Sequence, residues 1–249
     1  MAMSPWLEGR VIENRHWTPA LFSLRLAGPT FAFEAGQFVK LALDLDGERV
    51  ARPFSFVNPP GELPLEFYGV IVPGGPLSPR LACLQPGDGV WLSPKPSGFL
   101  VLSEVLPAED LWLLATGTGI APFLSILRTA TPWTRYARVI LVHAVRRADE
   151  LVYRELIDAL AQVYGERFRT VSFVSREEAR GALAGRIPAA IADGRLEAAA
   201  GCPIAPERSQ VMLCGNPDMV KDATAALVAR GLRKHRRRTP GQIAVENYW

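Results

Sequence analysis

The sequence predicts a two-domain protein, an antiparallel β-barrel over residues 1–104 followed by an α/β domain with a parallel sheet over residues 105–249. Three observations lead there. At 249 residues the chain is long for one domain. Its N-terminal part consists of short alternating runs broken by turn signals, with no convincing helix. Its C-terminal part alternates apolar runs with segments of helical spacing, the grammar of a parallel sheet covered by helices.

Taken in order, residues 21–27 (LFSLRLA) and 37–45 (QFVKLALDL) alternate apolar and polar positions, the period of a half-buried strand. Asp46-Gly47 marks a turn, and residues 48–57 continue the extended pattern. Residues 65–72 and 90–93 supply further strands, the last after Pro86-Gly87-Asp88-Gly89. The seam is expected within residues 103–110, where proline and acidic residues interrupt both patterns. Beyond it, residues 111–115, 138–145, 168–174 and 210–214 read as strands. A helix is expected around 122–130. In the next, Val152, Leu156, Ala159, Leu160 and Val163 recur on one face. Asn216 reads as an N-cap before Pro217, with Gly231 as the stop.

Composition excludes several classes. With 49% hydrophobic and 21% charged residues the chain is an ordinary globular one rather than disordered. A net charge of +3 is too small to imply nucleic acid. Arg230, Arg233, Lys234, Arg236, Arg237 and Arg238 nevertheless gather without an intervening acid. Cys83, Cys202 and Cys214 are too few for a four-cysteine iron–sulfur cluster and too scattered for a metal site, so no metal is expected. The N-terminus lacks the apolar core of a signal peptide, and the longest uncharged stretch, 111–127, is shorter than a membrane span. A soluble, cytoplasmic protein is expected.

Two segments could carry chemistry. Thr116-Gly117-Thr118-Gly119-Ile120-Ala121-Pro122 follows a strand and opens a helix, where backbone N–H groups can approach a pyrophosphate. It is not the G-x-G-x-x-G fingerprint, and a tight turn would look the same. In Arg52-Pro53-Phe54-Ser55 an arginine, an aromatic and a hydroxyl stand together, suited to a phosphate, a flat ring and a ring nitrogen. A barrel strand with an inward Phe54 and an exposed arginine is the plainer reading of these four residues alone.

These segments belong to an ordered set: Gly36-Gln37-Phe38, Arg52-Pro53-Phe54-Ser55, Gly75-Pro76-Leu77-Ser78-Pro79-Arg80-Leu81, the 116–122 turn, Cys214-Gly215-Asn216-Pro217 and Glu246-Asn247-Tyr248-Trp249. In this order, over essentially the whole chain, they resemble the ferredoxin–NADP reductase family, most closely its bacterial ferredoxin/flavodoxin reductases ending in Tyr-Trp. The resemblance implies an N-terminal FAD domain and a C-terminal NADP domain whose aromatic tail meets FAD. Arg52 and Pro53 would lie at the FAD pyrophosphate, Phe54 against the flavin, and Ser55 near flavin N5. Phe67, Tyr68, Gly69 and Val70 would line the flavin. Pro76, Leu77 and Ser78 would wrap its phosphates, Thr118 would face the cofactor junction, and Tyr248 and Trp249 would stack on FAD. Phe54 departs from the family, which usually has tyrosine there.

For NADP(H) the resemblance implies Gly117, Thr118 and Gly119, then Cys214, Gly215, Asn216 and Pro217, and the arginines Arg146, Arg176 and Arg186. A 2′-phosphate favours arginine where a ribose diol favours a carboxylate. Each charge-assisted bond contributes about 1.5–3 kcal/mol, so two favour NADPH by roughly a hundredfold. Glu177 and Glu178 beside Arg176 work against that inference. Ser55, Cys214 and Glu246 would serve catalysis by positioning and proton handling, hydride transfer being the cofactors' own chemistry. His16, His143 and His235 have no ligand partners at useful spacing and receive no role.

The implied partner is an acidic redox carrier, ferredoxin or flavodoxin, which the basic run would attract. A solvated surface is the ordinary reading of that run, and nucleic acid a third. Other acceptors stay open: free flavin, quinone, ferric chelates or an oxygenase component. So does a place in a larger electron-transfer complex, or a nucleic-acid-binding protein without enzymatic activity. A monomer is the simplest expectation.

Overall fold

The computed structural model describes residues 6–236 and 238–248. It divides into two compact units, one of residues 1–101 with 121–129, the other of residues 102–120 with 130–249. The division is therefore not a single cut. The helix after the 116–122 turn groups with the N-terminal unit, whereas the sequence reading places all of 105–249 in the second domain. Within that first unit the Ser125 hydroxyl donates to the Asn58 carbonyl at 2.8 Å, and Arg128 pairs with Glu62.

The first unit is an antiparallel sheet of β1 (Leu7–His16), β2 (Leu21–Ala27), β3 (Phe38–Leu45), β4 (Glu48–Ser55), β5 (Leu65–Val70) and β6 (Gly89–Leu92), in the order β4-β3-β6-β1-β2-β5. Its edges meet: Phe56 just after β4 bridges Phe67 on β5, and Val57 N–H donates to Glu66 O at 2.9 Å. That bridge curls the sheet into a barrel around Phe22, Leu24, Leu41, Phe56, Phe67 and Leu92. Phe33 stacks on Phe56 at 3.9 Å between centroids, which seals one end of that core. A short helix, α1 (Ser78–Ala82), follows β5 and buries Leu81.

The second unit is an all-parallel sheet of β7 (Asp110–Thr116), β8 (Arg138–Val145), β9 (Phe168–Val174), β10 (Ala182–Ala184), β11 (Ser209–Gly215) and β12 (Ile243–Asn247), in the order β10-β9-β8-β7-β11-β12. Its central strands are apolar on both faces, as expected of a sheet covered twice. The helices in chain order are α2 (Ala121–Leu127, in the first unit), α3 (Thr131–Arg135), α4 (Arg154–Tyr164), α5 (Ile187–Ala192), α6 (Arg195–Ala200) and α7 (Pro217–Ala229). Alternate residues Trp112, Leu114, Ile140, Val142, Val211 and Leu213 form one core with α5, α6 and α7. α3 packs on β8, and α4 on β9. None of the described helices is long and apolar enough to cross a membrane.

At the amino end of the central strands, Asp110 has no exposed side-chain surface and is held by two arginines. Arg138 Nε lies 2.7 Å and Arg208 Nε 2.8 Å from its carboxylate oxygens. Three neighbouring strands are thereby tied at one end. Removing one partner of such a pair leaves charge behind without compensation, while the arginines retain some access to water. Asp110→Ala is accordingly expected to cost about 3 kcal/mol, read as a lower urea midpoint at unchanged slope.

Candidate functional site

At the opposite, carboxyl end of the sheet, β7 and β11 run in register, with Cys214 beside Ala115. The chain leaves both strands through turns packed so closely that side chains have no room. A Cβ on Gly119 would lie 2.6 Å from the Cys214 carbonyl oxygen, and one on Gly215 would lie 2.2 Å from Thr116 Oγ1. Gly215 also has φ +131°, a conformation that L side chains rarely adopt. The Thr116 hydroxyl accepts a hydrogen bond from Asn216 N–H at 2.9 Å, which fastens one turn to the other. Asn216 caps α7, its Oδ1 accepting from the amides of Asp218 (2.9 Å) and Met219 (3.2 Å), with Pro217 opening the helix.

Cys214 is fully buried, and burial pushes its thiol well above the ordinary range. Next to it in the β11–β12 register is Glu246, itself half-buried. One carboxyl oxygen, Oε1, is shut off from water and lacks a hydrogen-bond partner among the described residues. Burial raises this carboxyl to about 7. Tyr248 N–H donates to the Gly215 carbonyl at 3.0 Å, and its side chain hydrogen-bonds Cys214. Cys214, Glu246 and Tyr248 therefore form one group around a neutral thiol. Trp249 lies outside the described residues.

Further along the same end stand the arginines. Val145, Val174 and Ala184, the last residues of β8, β9 and β10, are in register. Arg146, Arg176 and Arg186 follow within two positions, all exposed. The Arg176 amide donates to the Arg146 carbonyl at 2.9 Å, so these two backbones adjoin. None of the three forms an ion pair among the described residues. Two of the acids beside them are engaged elsewhere. Glu177 pairs with Arg147 at 3.0 Å and accepts from Ala148 N–H, and Glu150 accepts from the Arg146 amide at 2.8 Å. Glu178 is exposed and joins no ion pair among the described residues.

In the first unit, β4 carries Arg52 and Pro53 exposed, Phe54 half-buried and Ser55 buried. Arg52 donates only to the Ala51 carbonyl, at 2.7 Å, and forms no ion pair among the described residues. The Phe54 ring lies over Gly69 of β5, where an added Cβ would be 3.0 Å from Phe54 Cε1 and 2.7 Å from Phe22 Cζ. Any side chain at 69 would force Phe22 to move and would press on Phe54. The side chains of Phe67 and Leu77 are occupied in the barrel core, so what these residues can offer a ligand is backbone. Tyr68 is buried and Val70 half-buried. Ser78 Oγ accepts from Val72 N–H at 2.9 Å, closing the loop that carries the exposed Pro76.

The Oxidoreductase NAD-binding domain family matches residues 113–225, which span β7 through most of α7. A flavodoxin/ferredoxin–NADP reductase of Shigella flexneri is 50% identical over 248 residues, covering 99% of this chain and 100% of the relative. That of Escherichia coli strain K12 is 50% identical over the same length. The chain belongs to the flavodoxin/ferredoxin–NADP reductase family. Among solved structures, a ferredoxin NADP+ reductase from Neisseria gonorrhoeae with bound FAD and NADP is similar to it with a TM-score of 0.93. That protein is 34% identical, and the match covers 98% of this chain and 99% of the other.

Within each unit of this reductase, the residues singled out from sequence fall into groups. Arg52, Phe54, Ser55 and Gly69 share the β4–β5 side of the barrel. Thr118, Gly119, Cys214, Asn216 and Glu246 share the carboxyl end of the sheet. Sequence reasoning passed over Thr116 as a functional side chain, and it set aside His143. That histidine is buried on β8 with Nε2 3.0 Å from the Gly117 carbonyl oxygen. A lone histidine in an apolar strand gives no signal until its partner on the next strand is visible.

Two buried groups respond to pH in opposite senses. Glu246 is raised from 4.5 to about 7, so the stability it lends is full below 4.5 and lost as pH rises through 7. His143 is lowered from 6.5 to about 4, mainly by burial, so its share is present above 6.5 and lost as pH falls toward 4. Comparing Glu246→Gln with the unsubstituted protein cancels the histidine. The variant's unfolding temperature should gain on the wild type as pH climbs from 4.5 to 7 and then level off. A difference independent of pH in thermal scans would contradict a buried, protonated Glu246.

Proposed function

We propose that this protein is an FAD-containing oxidoreductase that carries electrons between NADP(H) and a ferredoxin or flavodoxin. The observation that carries this reading is the carboxyl end of the parallel sheet. There two glycine turns packed against one another are followed by three arginines that form no ion pair among the described residues. A 2′-phosphate supplies the missing negative charge, whereas a ribose diol would want the carboxylates that are instead engaged with Arg147 and backbone amides. Arg146, Arg176 and Arg186 would hold that phosphate. Gly117, Thr118 and Gly119 would offer the pyrophosphate backbone amides, and Cys214, Gly215, Asn216 and Pro217 would border the nicotinamide.

The barrel residues fit FAD. Arg52, in no ion pair among the described residues, is a cation for the pyrophosphate, and Phe54 is a ring lying over the bare backbone of Gly69. Pro53, Ser55, Tyr68 and Val70 complete this surface with the backbones of Phe67 and Leu77, and Pro76 and Ser78 lie in the loop assigned to the phosphates. Thr118, Tyr248 and Trp249 are assigned to FAD from the second unit. When bound, FAD takes two electrons together from a nicotinamide and releases them singly, chemistry that belongs to the cofactor.

The chain's own contribution is placement and proton control. Cys214, fully buried at the end of β11, is kept neutral there by that burial. Glu246, balanced near neutrality, can hold or release a proton there. Ser55, buried at the end of β4, is assigned to flavin N5. In the basic segment, Arg230 is paired with Glu197, while Arg233, Lys234, Arg236 and Arg238 are exposed and suit an acidic carrier. The protein acts in this reading as a cytoplasmic monomer.

Replacing Arg176 and Arg186 together by alanine is expected to raise the KM for NADPH by roughly a hundredfold while changing that for NADH by less than about threefold. Equal losses for both nucleotides would remove the 2′-phosphate assignment. Turnover with purified ferredoxin or flavodoxin should fall steeply with added salt, and turnover with free flavin or ferric chelates should not. Salt-independent rates with all acceptors would favour a small-molecule reductase.

A further inference from the structure

The buried histidine of β8 has no part in the reading above, yet it grips the turn on which that reading depends. His143 stands in register with Ala115, the penultimate residue of β7. Its Nε2 lies 3.0 Å from the carbonyl oxygen of Gly117. A carbonyl only accepts, so Nε2 carries the proton and donates it. The other ring nitrogen, Nδ1, is buried and has no hydrogen-bond partner among the described residues. Burial keeps the ring neutral down to about pH 4, so this tautomer persists across the working range.

The bond has a directional consequence. In a trans peptide the C=O and the following N–H point in opposite directions. Drawing the Gly117 carbonyl toward His143 therefore turns the Thr118 amide the other way. Gly117 has φ +53° and opens a single 3-10 turn, Gly117–Ile120, so His143 adds a tie from outside that turn to a peptide which the weak 3-10 geometry alone holds loosely. An apolar side chain would fill the same space without donating to the carbonyl, leaving only the turn's own bonds to hold it. Resting on the assignment of this turn to the nucleotide, we propose that His143 is a positioning residue for NADP(H). By tethering the Gly117 carbonyl it aims the Thr118 amide at the pyrophosphate.

The test is equilibrium binding to the purified, flavin-loaded full chain, measured by calorimetry. The ligands are NADP+ and adenosine 2′-monophosphate, which keeps the 2′-phosphate and lacks the pyrophosphate. His143→Leu should weaken NADP+ by about five- to tenfold, the loss of one hydrogen bond, and leave adenosine 2′-monophosphate unchanged. His143→Gln, whose amide nitrogen reaches the place of Nε2, should restore NADP+ binding to within about twofold. His143→Asn, polar but too short, should behave like leucine. It replaces leucine in the comparison if that variant does not fold. In kinetics the loss should fall on KM rather than kcat, by the same factor for NADPH and NADH, since both carry the pyrophosphate. Unchanged NADP+ affinity in the leucine and asparagine variants, or an equal loss for adenosine 2′-monophosphate, would overturn the proposal. A wild-type protein that binds no NADP+ would instead overturn the functional reading itself.

Discussion

The close approach of two strand ends governs the second unit. β7 and β11 are neighbours in the sheet, and both chains must turn at the same level without a side chain between them. Only glycine satisfies this at 119 and 215, where a Cβ would fall inside the van der Waals radius of backbone or of Thr116. Once the turns are that close, Thr116 can accept the Asn216 amide, Asn216 can cap α7, and Tyr248 can reach the Gly215 carbonyl. Amide groups and a helix start are thus gathered at one point by steric necessity. The anion-binding position proposed for the end of this parallel sheet rests on that geometry.

The two ends of this sheet are treated differently. At the amino end, Asp110 and Glu109 are matched by Arg138 and Arg208, so the charges close on themselves. At the carboxyl end, acids are diverted to backbone amides and to Arg147, and three arginines are left facing solvent. Satisfied charge stabilises, and unsatisfied charge binds. The barrel shows a milder form of the same division. Its core rings pack on one another, while Arg52 and Phe54 on β4 are only partly used by the fold.

Much of this was legible in the residues. The apolar run at 138–145 coincides with β8, because a central strand of a parallel sheet is buried on both faces and so almost purely apolar. Asn216-Pro217 marked the start of α7, since capping chemistry is local. β1 went unseen: its charged residues mask the alternation, which only Gly9 and Val11 show as buried positions. β10 and β12 were missed because each is short and owes its strand state to a longer neighbour. At the candidate site, glycines and arginines could be named from motifs. The grouping of Cys214, Glu246 and Tyr248 and the grip of His143 on Gly117 depend on strand register, which a linear pattern does not contain.

The central claim is that the barrel holds a flavin that the parallel-sheet unit supplies with electrons from NADPH. The most direct measurement is the visible absorbance of the purified protein before and after NADPH is added without oxygen. The account predicts a yellow protein with two flavin bands that bleach with NADPH and far less readily with NADH. A colourless protein that neither takes up added FAD nor oxidises NADPH would contradict it.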